Sequence, residues 1–373
     1  MDGKRRNTGQ ETRVELLPEE IVTEILLRLP VKSLWRCKTV CKYWHSTINS
    51  TGFIKRHLAR AAGYDQHKKF LGPVFPDKEN ASYSCLLYRE DYDGTVHAEA
   101  FNFPYKLFFG YEKVIPVSLC NSCNGLICFV RDQSILVWNP SIPTDFKIIQ
   151  SPLTHSRLIS DVDIVAMGYD PMSDDYKIIK VSSECAIDED YISFEIFSLK
   201  SSSWKSKRIA KQYSVYYYTS RFIYAKNGVH WIATLFNEEE DEYTDCILYF
   251  DLAEESLDYM NLPSKSLDCS AVMNFKESMA ITGENSESQQ ELWVLEDHCG
   301  LKSLWSKISC FDFTSPVISV FFSSMSNGET LVQRGNDSLK VQGNKIVHKE
   351  KPSYYSLPAS PYFESLLSPR MLQ

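Results

Sequence analysis

No apolar run in the 373-residue sequence approaches the roughly 20 residues a membrane-crossing helix needs, and the opening MDGKRRNTGQETR has no apolar stretch behind its basic residues. The expectation is a chain with neither a membrane helix nor a secretory leader, working in the cytoplasm and/or the nucleus. Asn49, Asn80 and Asn336 match the glycosylation pattern but are discounted on that expectation. An even cysteine framework is missing too: the eleven cysteines are odd in number, scattered, and mostly set within apolar segments, as reduced thiols are. Cys120, Cys123 and Cys128 make one CxxC plus a third thiol, yet no fourth ligand or second pair lies near, so a buried strand entered by Asn124-Gly125 is the better reading than zinc. A glycine-rich phosphate loop, a GxSxG elbow and an HExxH helix are also absent. The eight histidines are dispersed, and His230 beside Trp231 reads as a structural histidine. Neither a metal, a cofactor nor a catalytic role is expected.

What is present is globular: 43% hydrophobic, 24% charged and 13% aromatic residues describe a folded chain, and the aromatic excess favours half-buried pleated surfaces. The formal net charge of −8 is unevenly spread. Residues 16–60 hold eight basic against three acidic residues, a net of +5, and residues 1–15 add +1, so residues 61–373 carry −14. An acidic body with a basic head argues against nucleic acid as the body's partner and suggests two partners of opposite charge; ordinary surface solvation is the competing explanation.

Leu17-Pro18-Glu19-Glu20 is a helix start, since proline at a first turn loses no needed hydrogen bond and carboxylates face the positive helix end. Apolar residues follow at 17, 21, 22, 25, 26 and 29, a helical stripe that Pro30 stops. Ser33 is a candidate N-cap for a second helix, with Leu34, Cys37, Val40, Cys41, Trp44 and Ile48 continuing at spacings of three or four. Phe53, Ile54 and Leu58 suggest one more. Three or four helices in so few residues bury little surface, so the unit is expected to lean on a partner, or to cap the rest of its own chain.

The stretch LLPEEIVTEILLRLPVKSLWRCKTVCKYWHSTINSTGFIKRHL, residues 16–58, closely resembles an F-box: Leu-Pro at 17–18, Ile-Leu at 25–26, Leu-Pro at 29–30, Lys-Ser-Leu at 32–34, Val-Cys-Lys at 40–42, Trp44 and Phe53. The resemblance implies binding to a Skp-type adaptor, and through it to cullin and RING subunits. It places adaptor contacts at Leu17, Pro18, Ile21, Ile25, Leu29, Pro30, Leu34, Val40, Cys41 and Trp44.

Residues 1–15 read as a disordered tail, 16–60 as the F-box, 61–84 as a turn-rich junction and 85–373 as a β domain. Short β-branched and aromatic runs recur there, at 83–88, 125–130, 135–138, 176–181, 194–199, 228–235, 247–252, 291–295 and 317–322. Four of them share a strand, a turn and an apolar return, about 40 to 60 residues apart, as propeller blades would. Roughly 300 residues at about 50 per blade gives about six blades; a sandwich is the alternative. The body also resembles the F-box-associated interaction domain of the plant F-box/kelch-repeat proteins. The residues that carry this are SCNGLIC at 122–128, LVWNPS at 136–141, GYDPMSDDYKIIKV at 168–181, FSLKSSSW at 197–204, NGVHW at 227–231, FDL at 250–252 and YFESLLSP at 362–369. The double glycine of strict kelch blades is missing. The fold class expected is therefore mainly β: a small helical F-box followed by a kelch-like β-propeller.

Two segments are candidates for target binding. The run Glu238, Glu239, Glu240, Asp241 and Glu242, with Asp188-Glu189-Asp190, is either a pair of solvated loops or an acidic face that steers a basic target. Tyr216, Tyr217 and Tyr218 are either a contact patch or an edge strand. The function implied is a non-catalytic substrate receptor of a Skp–cullin–F-box ubiquitin ligase that hands a protein target over for degradation. The pollen S-locus F-box receptors for ribonucleases share this layout and form one subtype. A binding module independent of any ligase, such as a sugar-binding propeller, is the alternative class.

Overall fold

In the computed structural model the N-terminal stretch folds as four short helices, α1 (Glu19–Leu26), α2 (Val31–Cys37), α3 (Lys42–Asn49) and α4 (Thr51–Gly63). The structure describes residues 17–63, 69–77, 82–90, 96–103, 118–131, 134–142, 144–152, 164–181, 191–210, 214–217, 222–237, 242–275, 278–299, 302–312, 320–324, 330–334, 337–342, 345–350, 360–370 and 372. The expected disordered tail, residues 1–15, lies outside them. The chain divides into two compact units, residues 1–60 and 61–373.

Pro18 is the N-cap of α1 and Glu19 and Glu20 fill its first turn, as the helix-start signature implies. Pro30 both ends the turn after α1 and serves as N-cap of α2, so the second helix opens at Val31 and Ser33 lies inside it instead of capping it. Cys41 caps α3, its Sγ accepting from the Trp44 N–H at 3.4 Å, and Ser50 Oγ accepts from the Phe53 N–H at 3.3 Å at the start of α4. Leu26, Leu27, Val31, Leu34, Ile48 and Phe53 are the buried apolar residues. Buried His57 hydrogen-bonds the Leu29 carbonyl oxygen at 3.0 Å, and an Arg56–Glu24 ion pair ties α4 to α1.

After α4 the described residues contain strands alone, arranged as six antiparallel sheets in chain order. The first holds β1 (Lys69–Asp77), β2 (Ser82–Glu90) and β3 (Val96–Phe103). The second holds β4 (Ser118–Cys123), β5 (Leu126–Arg131), β6 (Ser134–Trp138) and β7 (Phe146–Gln150). The third is β8 (Ile164–Asp170), β9 (Asp175–Val181), β10 (Tyr191–Ser198) and β11 (Ser203–Ala210). In the fourth, β12 (Ser214–Tyr217) and β13 (Ile223–Ala225) share one place beside β14 (Gly228–Asn237), followed by β15 (Glu242–Asp251) and β16 (Leu257–Asn261). The fifth is β17 (Asp268–Phe275), β18 (Ser278–Glu284), β19 (Gln289–Cys299) and β20 (Lys302–Asp312). The sixth is β21 (Val320–Ser324), β22 (Thr330–Arg334), β23 (Asp337–Gln342) and β24 (Lys345–Glu350). The last strand, β25 (Ser360–Tyr362), returns to the first sheet and pairs with β1 at Lys69–Leu71. Six sheets with the chain's end closing the first are a six-bladed propeller, which discards the sandwich.

Each apolar core lies between neighbouring sheets, because a four-stranded blade can bury its faces only against the next one. Leu71, Phe103, Phe129 and Trp138 join the first and second, Phe194, Trp231 and Phe250 the third and fourth, and Ile232, Ile247, Val272 and Ile281 the fourth and fifth. Hence β9 is buried at every position, whereas β11, the outermost strand of its sheet, alternates between exposed and half-buried. The hairpin turn Asn124-Gly125 has φ of 53° and 80°, the left-handed pair a two-residue hairpin needs.

One boundary differs from expectation. Residues 61–84 are not a junction: α4 reaches Gly63, and β1 and the start of β2 lie within the range. Gly72, Pro73 and Pro76 suggested turns, but β1 carries a register shift between Leu71 and Val74, and both prolines lie past the residues that β25 pairs, where no inward donor is needed. The segment after β25 is buried against the second sheet. Asn139 Nδ2 donates to the carbonyl oxygens of Ser365 at 2.9 Å and Leu367 at 2.7 Å and to Ser365 Oγ at 3.2 Å. A Cβ at Gly125 would meet the Phe363 carbonyl oxygen at 2.6 Å.

Candidate partner-docking sites

The helical unit leaves a row of large apolar side chains uncovered. Leu17 is 58% exposed, Ile21 and Ile25 48% each and Val40 64%. Pro18, Pro30 and Cys41 are exposed beside them, and Leu29 and Trp44 are half-buried. So much apolar surface on a unit of this size is the signature of a docking surface. Leu34, placed among the contacts by resemblance, is instead fully buried. On α2 it shares the inward face with Val31, three residues earlier, and belongs to the core. Trp35, which the motif did not single out, is 39% exposed, with the Lys38 ammonium 3.9 Å from its ring centroid. Burial lowers the Lys38 pKa. Its exposure next to buried Leu34 is a consequence of helical phase that the alternation of apolar residues alone does not resolve.

On the propeller the acidic runs 188–190 and 238–241 lie outside the described residues, but the strands that flank them are placed. The first run belongs to the connection from β9 to β10 and the second to that from β14 to β15, each from the second to the third strand of its sheet. In a meander of four antiparallel strands those connections leave by one end, the same end as the steps from one sheet to the next. The strand ends that flank the two runs, at Val181 and Tyr191 and at Asn237 and Glu242, therefore share an end of the propeller, in adjacent sheets. Glu242 opens β15 and pairs with Asn237. Just inside that hairpin the Phe236 and Tyr243 rings lie 4.6 Å apart, and Tyr243 is 60% exposed, an aromatic contact the composition pattern did not reveal. Tyr216 and Tyr217 lie in β12, paired with Thr234 and Ala233, so the strand reading holds for their backbone, on the inner rather than the outer side of the sheet. Tyr218 lies outside the described residues.

The remaining candidates are structural in character. Cys123 and Cys128 are buried on β4 and β5, and burial holds the Cys123 thiol well above its usual range. A hydrogen bond with Cys120 and burial raise Cys128 likewise. His230 is buried with its ring stacked 4.8 Å from that of Tyr249, its cross-strand partner. Among the described residues no group of three His, Cys, Asp or Glu side chains is arranged to hold a metal ion, and no helix is long and apolar enough to cross a membrane.

Comparison with known proteins agrees with both halves of this geometry. Residues 14–56 match the F-box domain, and residues 90–331, well over half of the chain, match the F-box associated beta propeller domain. The chain belongs to the F-box-associated β-propeller family. Putative F-box protein At3g16210 of Arabidopsis thaliana is 28% identical over 253 residues, 67% of this chain and 61% of that protein. Putative F-box protein At3g17480 is 27% identical over 80% of this chain and 79% of its own length, and F-box/kelch-repeat protein At3g23880 is 26% identical over 81% and 82%, both from the same plant. Among solved structures, TolB from Acinetobacter baumannii superposes with a TM-score of 0.42 at 14% identity, covering 83% of this chain and 72% of that one. In an F-box/β-propeller chain the first unit implies binding to a Skp-type adaptor and the second to a protein target.

Proposed function

We propose that this chain is the substrate-recognition subunit of a Skp–cullin–F-box ubiquitin ligase. The observation that carries the reading is the uncovered apolar row Leu17, Ile21, Ile25 and Val40 on a helical unit in a chain that also bears a propeller. The exposed row docks a Skp-type adaptor, which connects the chain to cullin and RING subunits in the cytoplasm or nucleus. The propeller holds a target near the charged carrier enzyme, and the rate gain is one of proximity, with no bond made or broken by the chain's own residues. The basic charge of residues 16–60 fits an acidic adaptor, and the −14 on residues 61–373 fits a basic target. The acidic end of the propeller, with runs 188–190 and 238–242, is the face we assign to that target.

The test is co-purification with a recombinant Skp-type adaptor. Replacing Leu17, Pro18 and Trp44 together by alanine is expected to abolish it; full retention would reject the ligase reading in favour of a binding module that works alone. Reversing the charges of 188–190 and 238–242 is expected to flatten the salt dependence of target capture.

A further inference from the structure

A cavity of about 440 Å³ opens at the rim of the fifth sheet, beside the step that leads into it from the fourth, within the roughly 300–1,000 Å³ of small-molecule sites. Three stretches build it: Ser264 and Ser266 from the step between β16 and β17, Asn285 to Gln289 from the turn between β18 and β19, and Glu291, Trp293 and Lys307 from β19 and β20. By the meander topology it lies at the same end as the strand ends that the β9–β10 and β14–β15 connections join.

Its wall is organised around one carboxylate. Glu291, 5% exposed, accepts from Asn285 Nδ2 at 2.8 Å, Trp293 Nε1 at 2.8 Å and Lys307 Nζ at 2.6 Å. Those donors hold the Glu291 carboxyl below its ordinary range against the upward push of burial. Asn285 is fixed in turn, its Oδ1 accepting from the N–H groups of Glu287 and Gln289 at 2.9 and 3.0 Å. The Lys307 ammonium, 5.1 Å from the Trp293 ring centroid and on a side chain 42% exposed, gives one of its three donors to Glu291. Ser264 and Ser266 share a hydrogen bond of 2.9 Å and Ser264 Oγ also accepts from the Ser266 N–H at 3.2 Å, so the pair keeps one hydroxyl proton to donate and lone pairs to accept, and Ser286 and Glu287 stand exposed on the turn.

The chemistry selects the ligand by charge and then by hydrogen-bond type. Two carboxylates against one ammonium make the lining net negative and disfavour an anion. A cation would meet the Lys307 ammonium and find the buried carboxylate already paired with it. A neutral molecule that both donates and accepts is served by the whole lining: hydroxyls do both, Glu287 accepts and Lys307 donates. We propose that this cavity binds a neutral, hydroxyl-rich ligand the size of one pyranose sugar. The site uses none of the helical residues assigned to the adaptor and stands or falls independently of the ligase reading.

Ligand-observed saturation-transfer NMR on the full chain tests this. The probes are the methyl glycosides of glucose, galactose, mannose and N-acetylglucosamine, with acetyl-arginine amide and inorganic phosphate as charged counterparts. At least one glycoside is expected to bind, weakly, with affinity reduced more than about tenfold, which is about 1.4 kcal/mol, by Ser286→Trp and by Lys307→Met. Ser286→Trp closes the mouth from an exposed turn position, so it tests the cavity without removing any of the bonds around Glu291. The proposal is overturned if no glycoside binds at concentrations well above millimolar, if binding survives Ser286→Trp, or if the arginine probe alone is the one that Ser286→Trp displaces.

Discussion

Truncating Ile21 and Ile25 together to alanine separates adaptor docking from folding. Each side chain is 48% exposed, so about half of its surface is still to be buried on docking. Full burial of an isoleucine is worth about 1.5–3 kcal/mol, which leaves about 1 kcal/mol per residue and about 2 kcal/mol for the pair. At 1.4 kcal/mol per tenfold, the adaptor complex should weaken about 30-fold. The fold of the unit is partly spared, since alanine exceeds isoleucine in helix propensity by a few tenths of a kcal/mol at each site of α1. Isothermal titration with a recombinant Skp-type adaptor gives the affinity, and far-ultraviolet circular dichroism reports the helices. Leu34→Ala is the contrasting variant: Leu34 is fully buried, and its truncation costs about 2–5 kcal/mol, enough to unfold the unit. Unchanged affinity in a folded Ile21→Ala/Ile25→Ala chain would refute the assignment of this stripe to the interface.

Three further outcomes are expected. In the free chain N-ethylmaleimide should modify exposed Cys41 long before buried Cys123, Cys128 and Cys246, and bound adaptor should protect Cys41; mass spectrometry that finds equal labelling with and without adaptor would remove Cys41 from the interface. Asn139→Ala leaves the buried Ser365 and Leu367 carbonyls without their donor and should cost about 3 kcal/mol, seen as a melting point several degrees lower; an unchanged melt would mean the C-terminal segment does not help close the ring. The third concerns pH. Burial pushes the Asp170 carboxyl up, but hydrogen bonds from Lys177, Ser173 and the Met172 N–H outweigh it and leave it below its ordinary range, and Glu255 is lowered in the same way by Lys205 and Lys177. Carboxyls depressed in the folded state stabilise it above their unfolded value, about pH 4, and that stability is lost as pH falls through the folded values. Lys177→Met should therefore melt below wild type at pH 7, with the gap closing on acidification below about pH 4; a constant gap would contradict the ion-pair account.

Local signals in the chain were sufficient for much of this architecture. Leu17-Pro18-Glu19-Glu20 marks α1 because a helix start is a matter of the first turn's own donors and charges, and Asn124-Gly125 marks a hairpin because two consecutive left-handed residues are a local demand. The runs at 125–130 and 176–181 are legible as strands because β-branched, aromatic and other apolar residues crowd into a few consecutive positions, although the burial of Lys177 and Lys180 within β9 is not. Leu34 and Val40 look alike in the helical pattern, yet one is fully buried and the other 64% exposed, since burial depends on which neighbour arrives across the unit. The pairing of β1 with β25, some 290 residues later, hid a strand behind Gly72 and Pro73. Spacing foretells alternation, caps and turns because their physics spans a few residues. The ring closure through β1 and β25 and the shared end of the strand termini that flank the two acidic runs arise only when segments far apart in sequence pack, and there tertiary contact alone chooses among faces that the chain leaves equivalent.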